Sequence, residues 1–215
     1  MSIKVLIADD HQIIREGLRA MLENEPDIKI VGEAMDGRIT ERLARELAPD
    51  VIIMDVAMPD LNGIEATRQI AAQLSGVKII ALSMHDDRRF VLNMLKAGAV
   101  GYILKDDAFK SLAKAIRVVM INKTYFSNEI FDLAENNGLT SSTRMKSTDG
   151  QLLSCREREV LQLVAEGKTS NQIAENLHIS TKTVENHRQQ VMFKLNIKTV
   201  AELTKYAVRE GLTRL

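Results

Sequence analysis

Five short apolar runs, separated by stretches with helical periodicity, most constrain how residues 1–121 can fold. The runs are candidate strands at residues 3–8, 28–31, 51–54, 77–82 and 100–104. The intervening stretches repeat apolar residues at helical spacing, as at Ile39, Leu43 and Leu47. Strands that alternate with helices form parallel sheets through right-handed crossovers, with helices on both faces. We therefore predict an α/β domain here, a doubly wound five-stranded parallel sheet.

Charged residues stand at the ends of three of these runs: Asp9 and Asp10 after the first, Asp55 after the third and Lys105 after the fifth. Ser83 follows the fourth run. Open α/β sheets bind ligands beyond the carboxyl ends of their strands, where these side chains should meet. Any one of them alone is more often a solvated loop residue, but five at one edge argue for a site. Because clustered carboxylates need a cation and the lysine favours an anion, we predict binding of a divalent metal and a phosphoryl group.

A polar segment at residues 136–149 indicates a boundary, because it cannot bury enough apolar surface to become ordered. We predict a flexible linker over residues 122–149 and a second domain of four helices over residues 150–215. Helix start signals in this domain are Ser154, Thr169 and Ser180 or Thr181. The fourth helix, over residues 200–210, either closes the core of the domain or forms a dimer surface. Its apolar residues, with one nearby, are Leu203, Tyr206, Ala207 and Leu212.

The composition indicates a cytoplasmic protein with no membrane partner. No apolar run approaches the roughly 20 residues that span a bilayer, and two aspartates precede any signal-peptide core. The single Cys155 cannot form an internal disulfide and has no zinc-site spacing to His178 or His187, so we expect a partly buried structural cysteine. Residues 151–215 hold 10 Lys/Arg against 7 Asp/Glu, a weak indication that this part contacts a polyanion.

The first domain contains these residues at or near the ends of its predicted strands: Asp9-Asp10, Asp55 with Met58-Pro59 and Gly63, Ser83, and Tyr102 with Lys105. In these residues the chain resembles, over residues 3–121, the receiver domain of two-component response regulators. The resemblance implies that Asp55 is the phosphoacceptor, which receives a phosphoryl group from a sensor histidine kinase. It also implies that Asp10 binds Mg²⁺ directly and Asp9 through water, with Asp55 and the Ala57 carbonyl as further ligands.

The same resemblance implies that Lys105 and Ser83 contact the phosphoryl group and that Tyr102 follows Ser83 inward as a switch. The alternative is a core tyrosine and a helix-capping serine. Three residues depart from the receiver pattern. Asp106 follows Lys105, where receivers often have proline, and Ala57 offers the phosphoryl group no side-chain contact. Met84 is bulky beside the site, and we hypothesise that it restricts water and so alters how fast the acyl phosphate hydrolyses.

The second domain contains the sequence SCREREVLQLVAEGKTSNQIAENLHISTKTVENHRQQVMFKL. From Leu153 to Leu212 it resembles the tetrahelical helix-turn-helix domain of NarL/FixJ, or LuxR-type, regulators. The resemblance implies that the helix beginning near Thr181 enters the major groove of duplex DNA. Because Val184, Val191 and Leu195 share one apolar face, the polar residues of this helix should point outward. The candidate DNA contacts are Lys182, Thr183, Glu185, Asn186, Arg188 and Gln189. For any one of them the alternative is a solvated helix face.

We therefore predict a response regulator that binds promoter DNA as a homodimer once phosphorylated. It would not be an enzyme beyond Mg²⁺-dependent self-phosphorylation and self-dephosphorylation. One alternative is a DNA-binding regulator with a degenerate receiver switch that works independently of phosphorylation. A phosphatase-type enzyme would need an acid/base carboxylate where Ala57 stands. Gly167-Lys168-Thr169 matches the end of a phosphate-binding loop, but the first glycine of that motif is replaced by Gln162 within a predicted helix.

Overall fold

The computed structural model describes residues 2–84, 88–127 and 153–213. The first domain contains strands β1 (Ile3–Ala8), β2 (Ile28–Ala34), β3 (Val51–Asp55), β4 (Lys78–Ser83), β5 (Gly101–Leu104) and β6 (Tyr125–Phe126). Its helices are α1 (Gln12–Leu22), α2 (Gly37–Leu47), α3 (Gly63–Gln73), α4 (Arg88–Ala97) and α5 (Lys105–Met120). The strands pair in the order β2-β1-β3-β4-β5-β6, and all pairs are parallel. The prediction of a doubly wound parallel α/β sheet is confirmed.

The sheet has six strands rather than the predicted five. The backbone N–H groups of Tyr125 and Ser127 donate to the carbonyls of Val100 and Tyr102, each at 3.1 Å, and so attach β6 to β5. A strand of two residues is too short to show an alternating pattern, which is why the sequence did not reveal it. Residues 122–127 of the predicted linker thus continue the sheet domain. The remainder of that linker, and residues 150–152, lie outside the described residues.

Two apolar layers cover the sheet. On one face Leu6, Ile52 and Met54 pack with residues of α2, α3 and α4. On the other face the alternate residues of the strands, such as Ile7 and Ile53, pack with α1 and α5. Strands buried on both faces read as continuous apolar runs, which is the pattern that predicted them.

The second domain contains helices α6 (Cys155–Ala165), α7 (Ser170–Leu177), α8 (Thr181–Leu195) and α9 (Val200–Arg209). Capping boxes begin α6 at Ser154 and α7 at Thr169 as predicted, and Ser180, rather than Thr181, caps α8. A third box at Thr199 begins α9 and was missed. Cys155, expected to be partly buried, is exposed because it is the first residue of α6.

Leu203 and Ala207 of α9, with Leu212 just after the helix, close the core of their own domain. Leu203, Ala207 and Leu212 are buried with Val160 and Val184. The sequence left two interpretations of this helix, core closure and a dimer surface, and the structure supports core closure for these residues. A dimer surface on α9 would therefore have to use the opposite, outer face.

Polar contacts join the two domains along one side. The backbone N–H of Asn62 donates to Oε1 of Gln162 at 3.0 Å, and Nε of Arg158 lies 2.7 Å from Oε2 of Glu65. The helical domain consequently sits against the start of α3, near the edge where the strands end.

Candidate functional site

Three aspartates meet at the carboxyl ends of β1 and β3, as predicted. These two strands are hydrogen-bonded neighbours in the sheet, with Ala8 opposite Met54, so the residues that follow each of them lie side by side. Asp9 and Asp55 are buried, whereas Asp10 is partly exposed. Such a group of carboxylates is stable only when positive charge is close by.

Lys105 supplies part of that charge. Its Nζ lies 2.6 Å from Oδ2 of Asp9 and 3.0 Å from Oδ2 of Asp55, and its side chain is buried. The residue begins α5 immediately after β5, which places its ammonium over the same edge. The bond to Asp106 is trans, since the described residues contain no cis peptide. The predicted meeting of this lysine with the carboxylates is confirmed.

His11 also belongs to this cluster, although sequence reasoning did not select it. Its backbone N–H donates to Oδ1 of Asp9 at 2.9 Å, and its Nδ1 lies 2.9 Å from Oδ1 of Asp10. One ligand atom from each of Asp9, Asp10, His11 and Asp55 can be chosen so that all four lie within 4.8 Å of one another. The available signal was position, because the histidine directly follows the two aspartates.

The donors fit a hard divalent cation. One oxygen from each of the three carboxylates can be chosen within 4.8 Å of the others, and oxygen ligands of this kind suit Mg²⁺. Asp9, Asp10 and Asp55 are the side chains that would hold it. The ligand role of the Ala57 carbonyl stays a prediction.

A cavity of about 380 Å³ opens beside Asp55. Its walls include Ala57, Ser83, Met84 and Lys105. Ser83, the last residue of β4, is buried, and Met84 exposes 67% of its surface at the mouth. The cavity gives an incoming group access to the carboxylate of Asp55. Tyr102 lies fully buried in β5, one strand beyond Ser83 in the sheet.

The segment from Asp55 to Gly63 forms a tight turn behind the site. The N–H of Gly63 donates to the carbonyl of Val56 at 2.9 Å, and the N–H of Ala57 donates to Oδ1 of Asp55 at 3.3 Å. A Cβ atom on Gly63 would lie only 1.9 Å from the backbone oxygen of Asp55, so no larger residue fits there. The start of α3 is thus in direct contact with the backbone of the candidate phosphoacceptor.

The candidate DNA-reading helix α8 presents its polar face to solvent. Val184 and Val191 are buried and Leu195 is partly buried, as predicted. Of the candidate contacts, those that are exposed are Lys182, Glu185, Asn186 and Gln189, and those that are partly exposed are Thr183 and Arg188. Phe193, on the same outer face, exposes 83% of its surface and was not selected from the sequence. The interdomain contacts described above leave this face uncovered.

Thr183 has a further role at the start of α8. Its N–H donates to the side-chain oxygen of Ser180 at 3.1 Å, and the two hydroxyls lie 2.8 Å apart. Both the amide and the hydroxyl of Thr183 are therefore engaged with Ser180 at the helix cap. Within the described ranges, none of the helices is both long and apolar enough to cross a membrane.

Comparisons with known proteins agree with this architecture. Residues 5–117 match the response regulator receiver domain, and residues 151–207 match the bacterial regulatory proteins of the luxR family. The transcriptional regulatory protein LiaR of Bacillus subtilis is 40% identical, over 98% of this chain and 99% of its own length. A structure of the RcsB response regulator of Salmonella typhimurium is 28% identical and superposes with a TM-score of 0.64, over 97% of this chain and 98% of that one. A structure of an RcsB–DNA complex is 28% identical with a TM-score of 0.60, over 98% and 99% of the two chains.

Proposed function

Because the chain belongs to the response regulators that join a receiver domain to a LuxR-type DNA-binding domain, we propose that phosphorylation of Asp55 controls its binding to promoter DNA. The observation that carries the proposal is the cluster at the sheet edge. There Lys105 lies between two buried carboxylates beside an open cavity. A regulator of promoter DNA works in the cytoplasm, where a sensor histidine kinase can reach it.

Asp55 is the nucleophile in this proposal. A carboxylate oxygen attacks the phosphorus of a phosphohistidine on the kinase, forming an O–P bond while the P–N bond breaks. The leaving histidine nitrogen keeps the electron pair and takes up a proton from solvent. The tight turn from Val56 to Gly63 holds the backbone of Asp55 in place for in-line attack.

The negative charges of the carboxylates and of the phosphoryl group would be compensated by a bound metal and by Lys105. When bound by Asp9, Asp10 and Asp55, Mg²⁺ would offset carboxylate repulsion and the charge of the phosphoryl oxygens. The ammonium of Lys105, 3.0 Å from Oδ2 of Asp55, would pair with a phosphoryl oxygen added at that carboxylate. No chemistry on other substrates is proposed, since Ala57 supplies no acid or base at the position that a phosphatase would need.

Ser83 and Tyr102 would carry the signal away from Asp55. Ser83 lines the cavity, and its hydroxyl would donate to a phosphoryl oxygen. β4 and β5 are paired, so that a shift of Ser83 toward Asp55 would change the space available to the buried ring of Tyr102. In this way a local change of charge at Asp55 would shift the equilibrium between two arrangements of the receiver domain.

The output would be binding of duplex DNA through α8. Its exposed face offers Asn186 and Gln189 to base edges, and Lys182 to phosphate. The RcsB–DNA complex, with a TM-score of 0.60, supports DNA as the ligand. Pairing of two copies on activation would place two α8 helices in successive major grooves, as helix-turn-helix dimers do.

The proposal is tested by DNA affinity with and without phosphorylation. A duplex selected from a random pool is titrated with wild type and Asp55→Asn, each with and without acetyl phosphate and Mg²⁺. Asp27→Asn is the matched control, because Asp27 lies at the opposite end of the sheet and pairs with Arg117. We expect acetyl phosphate and Mg²⁺ to tighten DNA binding by wild type and by the control, and to leave DNA binding by Asp55→Asn unchanged. Equal affinity in all conditions would support the phosphorylation-independent alternative instead.

A further inference from the structure

An aromatic side chain lies exposed near the end of α8. Phe193 exposes 83% of its surface, the largest fraction among the exposed large apolar side chains in the ranges that the structure describes. The residue lies within the last turn of the helix, which ends at Leu195. Single exposed apolar residues are common and need no explanation by themselves. The position of this ring on the helix therefore decides what it can do.

Phe193 lies on the same side of α8 as the candidate DNA contacts. Because an α-helix turns by about 100° per residue, Lys182, Gln189 and Phe193 lie within about 40° of one another around the helix axis. Asn186 lies within about 60° of each of them. The buried Val191 points to the opposite side. If α8 enters the major groove, the ring enters it too, about 6 Å beyond Gln189 along the helix axis.

The one cationic residue between Gln189 and Leu195 is paired within its own domain. This residue is Lys194, and its Nζ lies 2.7 Å from Oε2 of Glu157, a buried residue of α6. The last turns of α8 therefore offer the groove an apolar ring and neutral amides, not a charge for a phosphate. An apolar ring in the groove is favourable where it meets an apolar group of the DNA.

Thymine presents such a group. Among the four bases of DNA, thymine carries a methyl group at its major-groove edge, and phenylalanine is one of the side chains that contact this methyl. We infer that Phe193 is a specificity-determining residue, whose ring packs against the C5-methyl group of a thymine in the site that α8 reads. The inference deepens the proposed function and rests on its DNA-binding part.

The same geometry gives the place of this thymine in the site. The ring lies about 6 Å beyond Gln189 along the helix, which corresponds to about two base-pair steps of the duplex. We therefore expect the thymine about two base pairs from the base that Gln189 contacts, toward the C-terminal end of α8.

DNA fits this surface better than another protein does. Gln189 and Gln190 are exposed beside Phe193, so the apolar area here is that of one ring. One aromatic side chain buries about 150–250 Å², whereas a stable protein interface buries about 1,200–2,000 Å² in total. A polar face with a single aromatic residue suits the groove, where hydrogen bonds and one methyl contact can be made side by side.

The first test removes only the methyl group from the DNA. A duplex is selected from a random pool with wild type, and each thymine is replaced in turn by uracil, which keeps the hydrogen-bonding groups of thymine. Affinity is measured by fluorescence anisotropy with the full chain, with and without acetyl phosphate and Mg²⁺. In each half-site we expect one thymine at which uracil weakens binding by wild type about 4-fold, the usual worth of one buried methyl-sized group.

Variants of the ring then show whether this difference depends on Phe193. Phe193→Ala should bind the thymine and uracil duplexes equally, and Phe193→Leu should keep most of the difference. Met35→Ala is the matched control, because Met35 exposes 57% of its surface in the receiver domain, and it should discriminate as wild type does. Since Phe193 is exposed, Phe193→Ala should also unfold in urea at the midpoint of wild type, which excludes a role in folding alone.

Three results would overturn the inference. They are selected half-sites without thymine, no loss of affinity by wild type on any uracil duplex, and discrimination by Phe193→Ala that equals that of wild type. An equal loss by Phe193→Ala on thymine and uracil duplexes would also overturn it, and would indicate a contact with deoxyribose or with a second copy of the chain.

Failure of the proposed function gives a different result. Affinity that is the same with and without acetyl phosphate would reject control by phosphorylation, while a methyl dependence that disappears in Phe193→Ala would keep the inference. Binding to no duplex at all would reject both.

Discussion

Replacing Lys105 by methionine should destabilise the receiver strongly and make its stability depend on Mg²⁺. The ammonium of Lys105 is 2.6 Å from Asp9 and 3.0 Å from Asp55, and all three side chains are at most 5% exposed. Methionine keeps the length of the side chain but leaves two buried carboxylates without their cation. Breaking a buried ion pair in this way costs about 3–5 kcal/mol, a large part of the stability of a typical domain.

Magnesium should return much of that loss. A cation bound by Asp9, Asp10 and Asp55 would replace the missing positive charge, and a ligand that binds only the folded state stabilises it by an amount that grows with the logarithm of its concentration over Kd. The assay is urea unfolding followed by circular dichroism, with and without saturating Mg²⁺, for wild type, Lys105→Met and Lys114→Met. Lys114 lies exposed on the same helix and serves as the control. Lys105→Met should gain more from Mg²⁺ than wild type does.

Two results would refute this reasoning. A loss below about 1 kcal/mol, the usual worth of an exposed ion pair, would mean that Lys105 does not compensate the carboxylates. An equal gain from Mg²⁺ in wild type and Lys105→Met would mean that metal and lysine do not act on the same charges.

Three further predictions follow from individual side chains. Burial raises the pKa of Glu166, which accepts from the N–H of Asp60 across the domain interface. The contribution of protonated Glu166 to docking is therefore fully present below the ordinary carboxyl pKa and is lost as the pH rises through the raised pKa. Small-angle scattering should show a more compact protein on acidification. Glu166→Gln should remove this pH dependence. Met84→Ala should speed loss of the phosphoryl group from Asp55, measured as acid-labile phosphate over time, and an unchanged rate would reject a role in restricting water. Lys182→Ala should weaken DNA binding across all sequences and lower the salt slope by about 1, whereas Asn186→Ala should cost about 1–3 kcal/mol on the preferred sequence only.

The sheet and the cluster of charged residues at its edge could be predicted from the sequence. The sheet depends on a local apolar pattern, and the cluster depends on one general rule about parallel strands. Apolar runs located the strands, and the rule that parallel strands end at one edge brought Asp9, Asp55 and Lys105 together. Their contacts of 2.6 and 3.0 Å agree with that reasoning. The capping boxes at Ser154 and Thr169 were equally readable, since each depends on residues three positions apart.

Features that depend on distant parts of the chain were not predictable. Strand β6 has two residues and exists only because β5 offers it a free edge. Gln162 lies within an ordinary amphipathic helix, and nothing around it in the sequence indicates a partner 100 residues away at Asn62. His11 was a different case, because its position after two aspartates was visible but its contacts with them were not.

The most direct test of the account follows DNA affinity as a function of phosphorylation at Asp55. Samples of wild type are phosphorylated to different extents with acetyl phosphate and Mg²⁺, the occupied fraction is measured by intact mass, and the same samples are titrated with the selected duplex. We predict that affinity rises with the occupied fraction and that Asp55→Asn stays at the affinity of the unmodified protein. An affinity that is the same at zero and full occupancy would contradict the account.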